Sequence, residues 1–327
     1  MHTLICGSLA FDTIMVFQDQ FKNHILPDQI HKLSVAFYVP EMRREFGGTA
    51  GNIAYNLHLL EAKPLIMATV GDDFDVYAKR LNALNINTNY VKKIHNTYTA
   101  QAFITTDLDN NQITAFHPGA MVESHQNSVN NANNVNNVTL AIIAPDGRDG
   151  MFLHAKECFD ANIPFLFDPG QGLPMFSGEE LLHFIEMATY LAVNDYESQV
   201  IQDKTGLSLE QLAAKVTALI VTLGGQGSHI YADGQRYEVP CVKAIEIVDP
   251  TGCGDAYRAG LLYGIASGWD WPTCGRLAST MGAIKIASRG GQNHQPTRAE
   301  IENIYAAALV AEVSLQQASV EQTMIKH

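Results

Sequence analysis

Short, fully apolar segments alternate with helix-like segments along most of this 327-residue chain. Strands without a polar face are buried on both sides, which is typical of a parallel sheet covered by helices. The sequence therefore predicts a three-layer α/β/α fold with a central, mainly parallel sheet. The segments that carry this prediction are Thr3–Gly7, Pro64–Gly71, Thr139–Ala144, Pro164–Asp168, Tyr190–Val193 and Ala218–Leu223.

A few segments do not fit that sheet and predict a small β lid. Tyr98–Thr106 and Gln112–Phe116 flank the turn-forming residues 107–111, as in a hairpin, and Leu33–Val39 alternates weakly before Pro40. We expect one domain over residues 1–313, with the lid from about 11–40 and 95–118. Residues 314–327 are predicted to be a C-terminal tail, and the asparagine-rich Ser128–Asn137 a turn or helix cap.

Composition excludes several classes of protein. The formal net charge is −13, so there is no basic stripe for nucleic acid or an anionic membrane. No apolar run approaches the ~20 residues of a membrane span, and the N-terminus lacks the basic region of a signal peptide. The five cysteines are odd in number and lack CxxC spacing, which fits a reducing cytoplasm without a metal cluster. We expect a cytoplasmic protein with a small-molecule partner.

The stretch 249–256, Asp-Pro-Thr-Gly-Cys-Gly-Asp-Ala, points to phosphate chemistry. Its glycines allow the backbone N–H groups of residues 252–254 to converge, and the helix that follows adds its positive dipole end. A carboxylate beside a phosphate is unfavourable unless it has a role. Asp255 is therefore predicted to accept a proton from a hydroxyl that attacks phosphorus. The alternative is an ordinary helix N-terminus with an aspartate cap.

A second set of candidates lies near the N-terminus. Gly47 and Gly48 precede a helical pattern and allow close backbone approach to a ligand, and Asn52 follows one turn later. Asp12 lies just beyond a buried strand, where a carboxylate is costly unless it pairs or binds. These residues predict a site for a sugar diol; the alternatives are a tight turn and a capping aspartate.

Two further groups follow predicted strands, at the sheet edge where α/β proteins bind ligands. Asn194 and Glu197 are candidates to hold Mg²⁺ through water, or form a helix N-cap with a first-turn glutamate. Thr222, Gly224 and Gly227 suit a nucleotide lying over the backbone, although hairpin turns have the same composition. The chain has no GxxxxGK[ST], HExxH or GxSxG motif, so P-loop enzymes and the corresponding hydrolases are excluded.

Taken together in chain order, these motifs resemble the ribokinase-like (PfkB) family of carbohydrate and nucleoside kinases, over residues 3 to 305. The subfamily that the chain is most similar to is the bacterial adenosine and nucleoside kinases. Three features favour it: Pro250 with Cys253, the stretch Asp168-Pro-Gly-Gln, and His117-Pro-Gly-Ala-Met. The motifs of the family resemblance are Asp12, GGTAGNIAYNL from Gly47, NDYE from Asn194, TLGGQGS from Thr222 and DPTGCGDAYRAG from Asp249.

The resemblance implies ATP and Mg²⁺ as cofactors and assigns a role to each candidate. Asp255 is then the general base, and the N–H groups of Gly252, Cys253 and Gly254 stabilise the transferring phosphoryl group. Asp12, Gly47, Gly48 and Asn52 bind the acceptor. Asn194, Thr222, Gly224 and Gly227 border ATP, with Glu197 and Asn194 at Mg²⁺. A monovalent cation such as K⁺ is implied beside Asp249 and Thr251, near Ala287 and Gly290.

The function this predicts is ATP-dependent phosphorylation of the 5′-hydroxyl of a nucleoside, with adenosine as the first candidate, in purine salvage. A flat apolar base is favoured by the lid side chains Phe11, Phe37, Phe103 and Met121. Core packing explains aromatic residues equally well. The alternatives are a kinase for a free sugar such as ribose or fructose, and a non-catalytic sugar or nucleoside sensor. The resemblance is compatible with a monomer or a lid-mediated homodimer.

Overall fold

The computed structural model describes residues 2–25, 34–109 and 111–310. Within them the central sheet has nine strands, in the spatial order β13-β12-β11-β10-β9-β8-β1-β4-β5. In chain order these are β1 (Thr3–Cys6), β4 (Pro64–Val70), β5 (Asn87–Lys93), β8 (Leu140–Ile143), β9 (Phe165–Phe167), β10 (Tyr190–Asn194), β11 (Ala218–Thr222), β12 (Ser228–Ala232) and β13 (Gln235–Val239).

The strands from β5 to β11 run parallel, and only the hairpin β12–β13 at one edge is antiparallel. Parallel strands end at the same edge of a sheet, so the segments after β1, β9, β10 and β11 come together there. This edge carries the candidate site.

Helices cover both faces of the sheet, and alternating side chains of a strand separate two cores. Leu4 and Cys6 belong to one core, whereas Ile5 belongs to the other. The predicted three-layer α/β/α fold is thereby confirmed. The helices are α1 (Thr49–Leu59), α2 (Asp75–Ala83), α3 (Val129–Asn136), α4 (Arg148–Asp160), α5 (Gly178–Met187), α6 (Asp195–Thr205), α7 (Leu209–Ala213), α8 (Cys253–Ala266) and α9 (Trp271–Ile286), and residues 298–310 are also helical.

A separate four-stranded sheet forms the predicted lid. Its spatial order is β3-β2-β6-β7, built from β2 (Ala10–Val16), β3 (Glu41–Gly47), β6 (Ala100–Thr106) and β7 (Gln112–His117). The strand expected over 33–39 was wrong: residues 34–39 have no regular structure, and the strand follows them. The charged residues in Glu-Met-Arg-Arg-Glu give β3 a polar pattern, so apolar composition does not predict this strand.

The remaining expectations concern the asparagine-rich stretch, part of the predicted lid and the predicted C-terminal tail. The asparagine-rich stretch is a two-turn helix, α3, because Val129 and Ala132 bury one side of it. Residues 26–33 of the predicted lid and the predicted tail 314–327 lie outside the described residues. Within the described ranges, none of the helices combines the length and apolar character needed to cross a bilayer.

Candidate active site

The N-terminus of α8 is built as an anion-binding turn. Gly252 caps the helix with φ at 76°, a left-handed conformation that favours glycine. The backbone N–H groups of Gly252 and Gly254 have no acceptor within the part of the chain that the structure describes. The third predicted donor differs: the N–H of Cys253 donates to the carbonyl of Pro250 at 3.1 Å, which closes the turn. Two of the three predicted N–H groups are therefore free to bind an anion.

Asp255 lies in the first turn of α8 and is held by Asn52 of α1. The side-chain amide of Asn52 donates to Oδ2 of Asp255 at 2.8 Å. Burial raises the pKa of Asp255 to about 7, and the nearby Asp168 and Asp12 act in the same direction, while Asn52 and Arg258 lower it. A carboxyl group with a pKa near neutrality is suited to accept a proton at physiological pH.

A buried hydrogen-bond chain fixes the orientation of the Asn52 amide. Its Oδ1 accepts a hydrogen bond from Nε2 of Gln292 at 3.1 Å, so its NH₂ group faces Asp255. The same Gln292 nitrogen donates to the Tyr77 hydroxyl at 2.6 Å, which in turn donates to the carbonyl of Gly47 at 2.8 Å. Gln292 and Tyr77 carry no motif of their own, and sequence reasoning missed both.

Asp12 lies on β2, at the junction of the lid and the main sheet, with Gly47 directly beside it. A Cβ on Gly47 would approach Oδ2 of Asp12 to 2.4 Å, so only glycine leaves room for this carboxylate. Burial raises the pKa of Asp12 to about 6, with further contributions from Glu45 and Asp249. Gly48 has φ at 84° and packs on the backbone of residues 8–10. Asp12, Gly47, Gly48 and Asn52 therefore share one region, as predicted.

The lid register corrects the predicted aromatic contacts. Asp12 pairs with Ala102, and Ala102 with Phe116, so these three side chains share a face. Phe103 pairs with Thr13 on the opposite face, which rules out a shared surface with Asp12. The exposed aromatic residue on the Asp12 face is Phe116, with 52% of its surface accessible.

Two other lid aromatics contact neighbouring rings. Phe11 is 2% exposed, stacks under the Arg44 guanidinium at 3.7 Å and contacts Phe46 and Tyr77. It therefore stabilises the attachment of the lid and is not exposed to a base, contrary to the prediction. Phe37 is half-buried and packs against Phe17 with ring centres 4.8 Å apart, and its contact with a base stays a prediction. Met121 is half-buried in a 3-10 helix, residues Gly119–Gln126.

Asn194 and Glu197 form a capping box at the start of α6. Oδ1 of Asn194 accepts the N–H of Glu197 at 2.7 Å, and Oε2 of Glu197 accepts the N–H of Asn194 at 2.8 Å. Within the described residues no three His, Cys, Asp or Glu side chains are grouped to hold a metal ion. The second carboxylate oxygen of Glu197 remains for a metal-bound water, so the pair fits Mg²⁺ through water and not as direct ligands.

The residues predicted to border a nucleotide lie beside this capping box. Thr222 ends β11 and pairs in register with Asn194. A Cβ on Gly224 would meet no atom within 4 Å, so the backbone there is open to a ligand. At Gly227 the fold itself requires glycine, because an added Cβ would lie 2.1 Å from the carbonyl oxygen of Val239.

Arg258 is a charged residue that sequence reasoning missed. It lies on α8 one turn after Asp255 and makes two hydrogen bonds of 3.0 Å to the Asp168 carboxylate. Both are nearly fully buried, at 5% exposed each. This ion pair anchors α8 to the end of β9 and brings a positive charge close to Asp255. The three-residue spacing from Asp255 is the signal that points to a shared helix face.

Protein groups contact all three oxygens of Asp249 at the predicted monovalent cation site. The carboxylate of Asp249 accepts from the N–H of Thr251 at 2.9 Å and the N–H of Gly290 at 2.8 Å. Burial acts to raise the pKa of Asp249, but these backbone donors outweigh it and the pKa is lowered. The carbonyl oxygen of Asp249 accepts from the Lys285 ammonium at 2.7 Å. Each oxygen of Asp249 therefore already accepts at least one hydrogen bond from the protein, and its carbonyl is held by a fixed ammonium group.

An open cavity of about 810 Å³ lies next to this region. The segment 239–245 and α9 form two of its walls, and residues 294–308 complete it. It reaches Ala287 and Ser288, close to the turn that carries Asp255. The cavity is of a size that suits a drug-sized ligand or nucleotide.

A parallel α/β sheet with a β lid, and an aspartate behind an anion-binding turn, define an ATP-dependent kinase that acts on a hydroxyl group. The family model for pfkB family carbohydrate kinases matches residues 11–298. The chain therefore belongs to this family, whose kinases use ATP with a metal ion.

Several relatives support the assignment. A nucleoside kinase of Methanocaldococcus jannaschii is 34% identical over 266 residues, covering 81% of this chain and 86% of that protein. The structure of a Burkholderia thailandensis nucleoside kinase in complex with inosine is similar at 52% identity and a TM-score of 0.85, covering 94% of this chain and 97% of that one. A Bacillus subtilis ribokinase is 26% identical, over 79% of this chain and 87% of the ribokinase.

Proposed function

We propose that this protein is a purine nucleoside kinase that transfers the γ-phosphoryl group of ATP to the 5′-hydroxyl of the nucleoside. Adenosine is the first candidate and inosine the second. The observation that carries the proposal is Asp255, a carboxyl group with a pKa of about 7, placed behind two free N–H groups at a helix N-terminus. We further propose a single kinase domain over residues 1–313.

The chemistry follows from this arrangement. The 5′-hydroxyl gives its proton to the Asp255 carboxylate as its oxygen attacks the γ-phosphorus, and ADP leaves with the electrons of the broken P–O bond. The N–H groups of Gly252 and Gly254 and the dipole of α8 stabilise the charge on the phosphoryl oxygens. By donating to Asp255, Asn52 favours the ionised form of its carboxyl group.

The acceptor is held from the lid side. Asp12 accepts hydrogen bonds from the 2′ and 3′ hydroxyls of ribose, and Gly47 and Gly48 allow the sugar to approach the backbone. Phe116 is on the same lid face as Asp12 and contacts the base. Burial of an aromatic-sized surface contributes several kcal/mol at ~25 cal/mol per Å², which a free sugar lacks.

The phosphate donor lies on the other side of the turn. Thr222 and Gly224 border the phosphates, and the cavity beside α9 accommodates the adenine. When bound, Mg²⁺ would neutralise charge on the phosphates, and Glu197 and Asn194 would hold it through its water shell. The capping box uses only Oδ1 of Asn194, so the amide NH₂ of Asn194 can donate to a phosphate oxygen.

The similarities favour a nucleoside over a free sugar. The relative of 52% identity is a nucleoside kinase solved with inosine, whereas the ribokinase is 26% identical. The second candidate, a kinase for ribose or fructose, shares the chemistry at Asp255 and differs only in the acceptor.

The test is a substrate panel with Mg-ATP: adenosine, inosine, guanosine, ribose and fructose. We expect purine nucleosides to exceed the free sugars in kcat/KM by orders of magnitude, with the 5′-monophosphate as product. The matched control is 5′-deoxyadenosine, which keeps the base and the diol but lacks the acceptor, and it should bind without turnover. Efficient turnover of ribose or fructose, with none of any nucleoside, would contradict the proposal.

A further inference from the structure

Lys285 of α9 is a fully buried lysine that binds two backbone carbonyls. Its side chain is 0% exposed, and its ammonium donates to the carbonyl of Asp249 at 2.7 Å and to the carbonyl of Ser288 at 3.0 Å. An ammonium group withdrawn from water is costly unless its donors are satisfied and negative charge is near. A fully buried lysine therefore requires nearby acceptors and negative charge that stabilise its ammonium group.

The two carbonyls belong to the two segments that build the active site. Asp249 begins the turn that carries Gly252, Gly254 and Asp255. Ser288 begins the loop that continues to Gln292, which orients Asn52. The ammonium is a single point of attachment between both segments.

The charges around Lys285 match this position. Burial lowers its pKa, and the surrounding Cys253, Asp249 and Asp255 act in the opposite direction. The buried His294 has its pKa lowered to about 4, first by burial and then by Lys285. The carboxylates of Asp249 and Asp255 thus favour the charged form of the buried ammonium.

A free monovalent cation in the same place would need the same oxygen atoms. The Asp249 carbonyl is bound by Lys285, and both carboxylate oxygens of Asp249 are bound by backbone N–H groups. An ammonium group and K⁺ are similar in size and charge, but the lysine is tethered and makes directed hydrogen bonds.

We propose that the Lys285 ammonium is a built-in monovalent cation, which holds the 249–254 turn in its anion-binding shape and makes the enzyme independent of K⁺. Lys285 is a positioning residue, since it acts through the Asp249 carbonyl and touches neither substrate nor phosphate. This inference rests on the kinase activity of the family and not on which nucleoside is the acceptor.

The first test uses the unmodified protein in a buffer whose only monovalent cations are tetramethylammonium and the Tris buffer ion. Adding K⁺ or Na⁺ at constant ionic strength should change kcat by less than about twofold and leave Tm unchanged, because the site is filled. A saturable activation by K⁺ of the unmodified enzyme would overturn the proposal.

The second test is Lys285→Ala, which removes the ammonium and leaves space. We expect kcat to fall by on the order of 10²-fold, as a displaced catalytic turn would cause, with a smaller effect on KM for the nucleoside. K⁺ or methylammonium should restore activity saturably and raise the Tm of the variant over the same concentration range. The Tm shift does not depend on any substrate, so it separates this inference from the proposed function.

Two controls make the result specific. Lys285→Met keeps the length of the side chain without charge and without space for an ion, so it should be impaired and not rescued. Lys215→Ala removes a surface lysine that pairs with Glu186, and should leave activity and its cation response unchanged. Wild-type kcat in Lys285→Met, or an impaired Lys285→Ala that no cation rescues in activity or Tm, would show that Lys285 only fills space.

Discussion

The side-chain amide of Asn52 donates to Oδ2 of Asp255 at 2.8 Å, a contact between residues 203 positions apart in the chain. It connects the first turn of α1 with the first turn of α8, and so links the acceptor side of the site to the anion-binding turn. Because the donor stabilises the ionised form, it lowers the pKa of Asp255 against the burial that raises it.

Replacement of Asn52 by Leu should therefore move the pH dependence of the reaction. With the pKa of Asp255 at about 7, kcat/KM of the wild type should rise with pH through neutrality and level off above it. Loss of the Asn52 donor raises this pKa further, so the rise should shift to higher pH. Asn82→Leu, at an exposed position on α2, is the control and should keep the wild-type profile. An unshifted pH profile of kcat/KM in Asn52→Leu would contradict a contribution of Asn52 to the pKa of Asp255.

Asp255 should also make folding stability depend on pH. Its pKa is 3.8 in a solvated chain and about 7 in the folded protein, so the folded state holds the proton more tightly. The contribution to stability is fully present below pH 3.8 and is lost as pH rises through about 7. Asp255→Asn cannot ionise, so its Tm relative to wild type should increase between these pH values. Thermal scans from pH 4 to 8 measure this, and a constant difference would contradict it.

The buried pair of Arg258 and Asp168 should be strongly coupled. Arg258→Met leaves the Asp168 carboxylate buried without its partner and should cost about 3–5 kcal/mol in the free energy of unfolding. The double variant with Asp168→Leu removes both charges and should recover much of that loss. Lys156→Ala, which breaks the exposed pair with Asp160, is the comparison and should cost about 0.3–0.5 kcal/mol. Denaturant titrations of these three variants and of the single variant Asp168→Leu give the four values needed. Additive effects of the two buried substitutions would refute the coupling.

Gly47→Ala tests the role of Asp12 without changing its charge. The added Cβ would lie 2.4 Å from Oδ2 of Asp12, so the carboxylate must move away from the acceptor site. We expect KM for the nucleoside to rise by about tenfold or more, as for a lost hydrogen bond to a charged group, with little change in KM for ATP. Gly282→Ala is the control, because its Cβ comes only within 3.9 Å of the nearest atom. Equal effects on both KM values would mean that the region does not bind the acceptor selectively.

Sequence patterns predicted the six inner strands of the central sheet because these are apolar, and missed the polar strands β5, β12 and β13 at its edges. The site was predicted because glycines and a following acid occur as local motifs. Strand β3 was missed because Arg43, Arg44 and their neighbours give it a polar pattern at the lid edge. Phe103 was assigned to the face of Asp12 wrongly, because the two faces of a strand differ by one residue of register, which composition does not reveal. Phe103 and Phe116 show this directly.

The polar partners behind the site were beyond the reach of local patterns. Arg258 and Lys285 each bind an oxygen of a residue distant in sequence, Asp168 and Asp249, and the fold alone brings these pairs together. Asn194 and Glu197 illustrate the opposite case, since the same two residues satisfy a helix cap and remain candidates for the metal shell. The sequence predicted Asp255 at the turn, but it did not predict the contacts of Arg258 and Lys285 that hold the turn in place.

The most direct test of the account is the turnover of Asp255→Asn with adenosine and Mg-ATP, measured beside nucleoside binding by calorimetry. As the general base, Asp255 should contribute ~10²–10⁴ in rate, so kcat should fall by that factor while the dissociation constant for adenosine stays close to wild type. Wild-type kcat in this variant would contradict the assigned chemistry, because no other carboxylate in the described part of the chain lies directly behind the anion-binding turn.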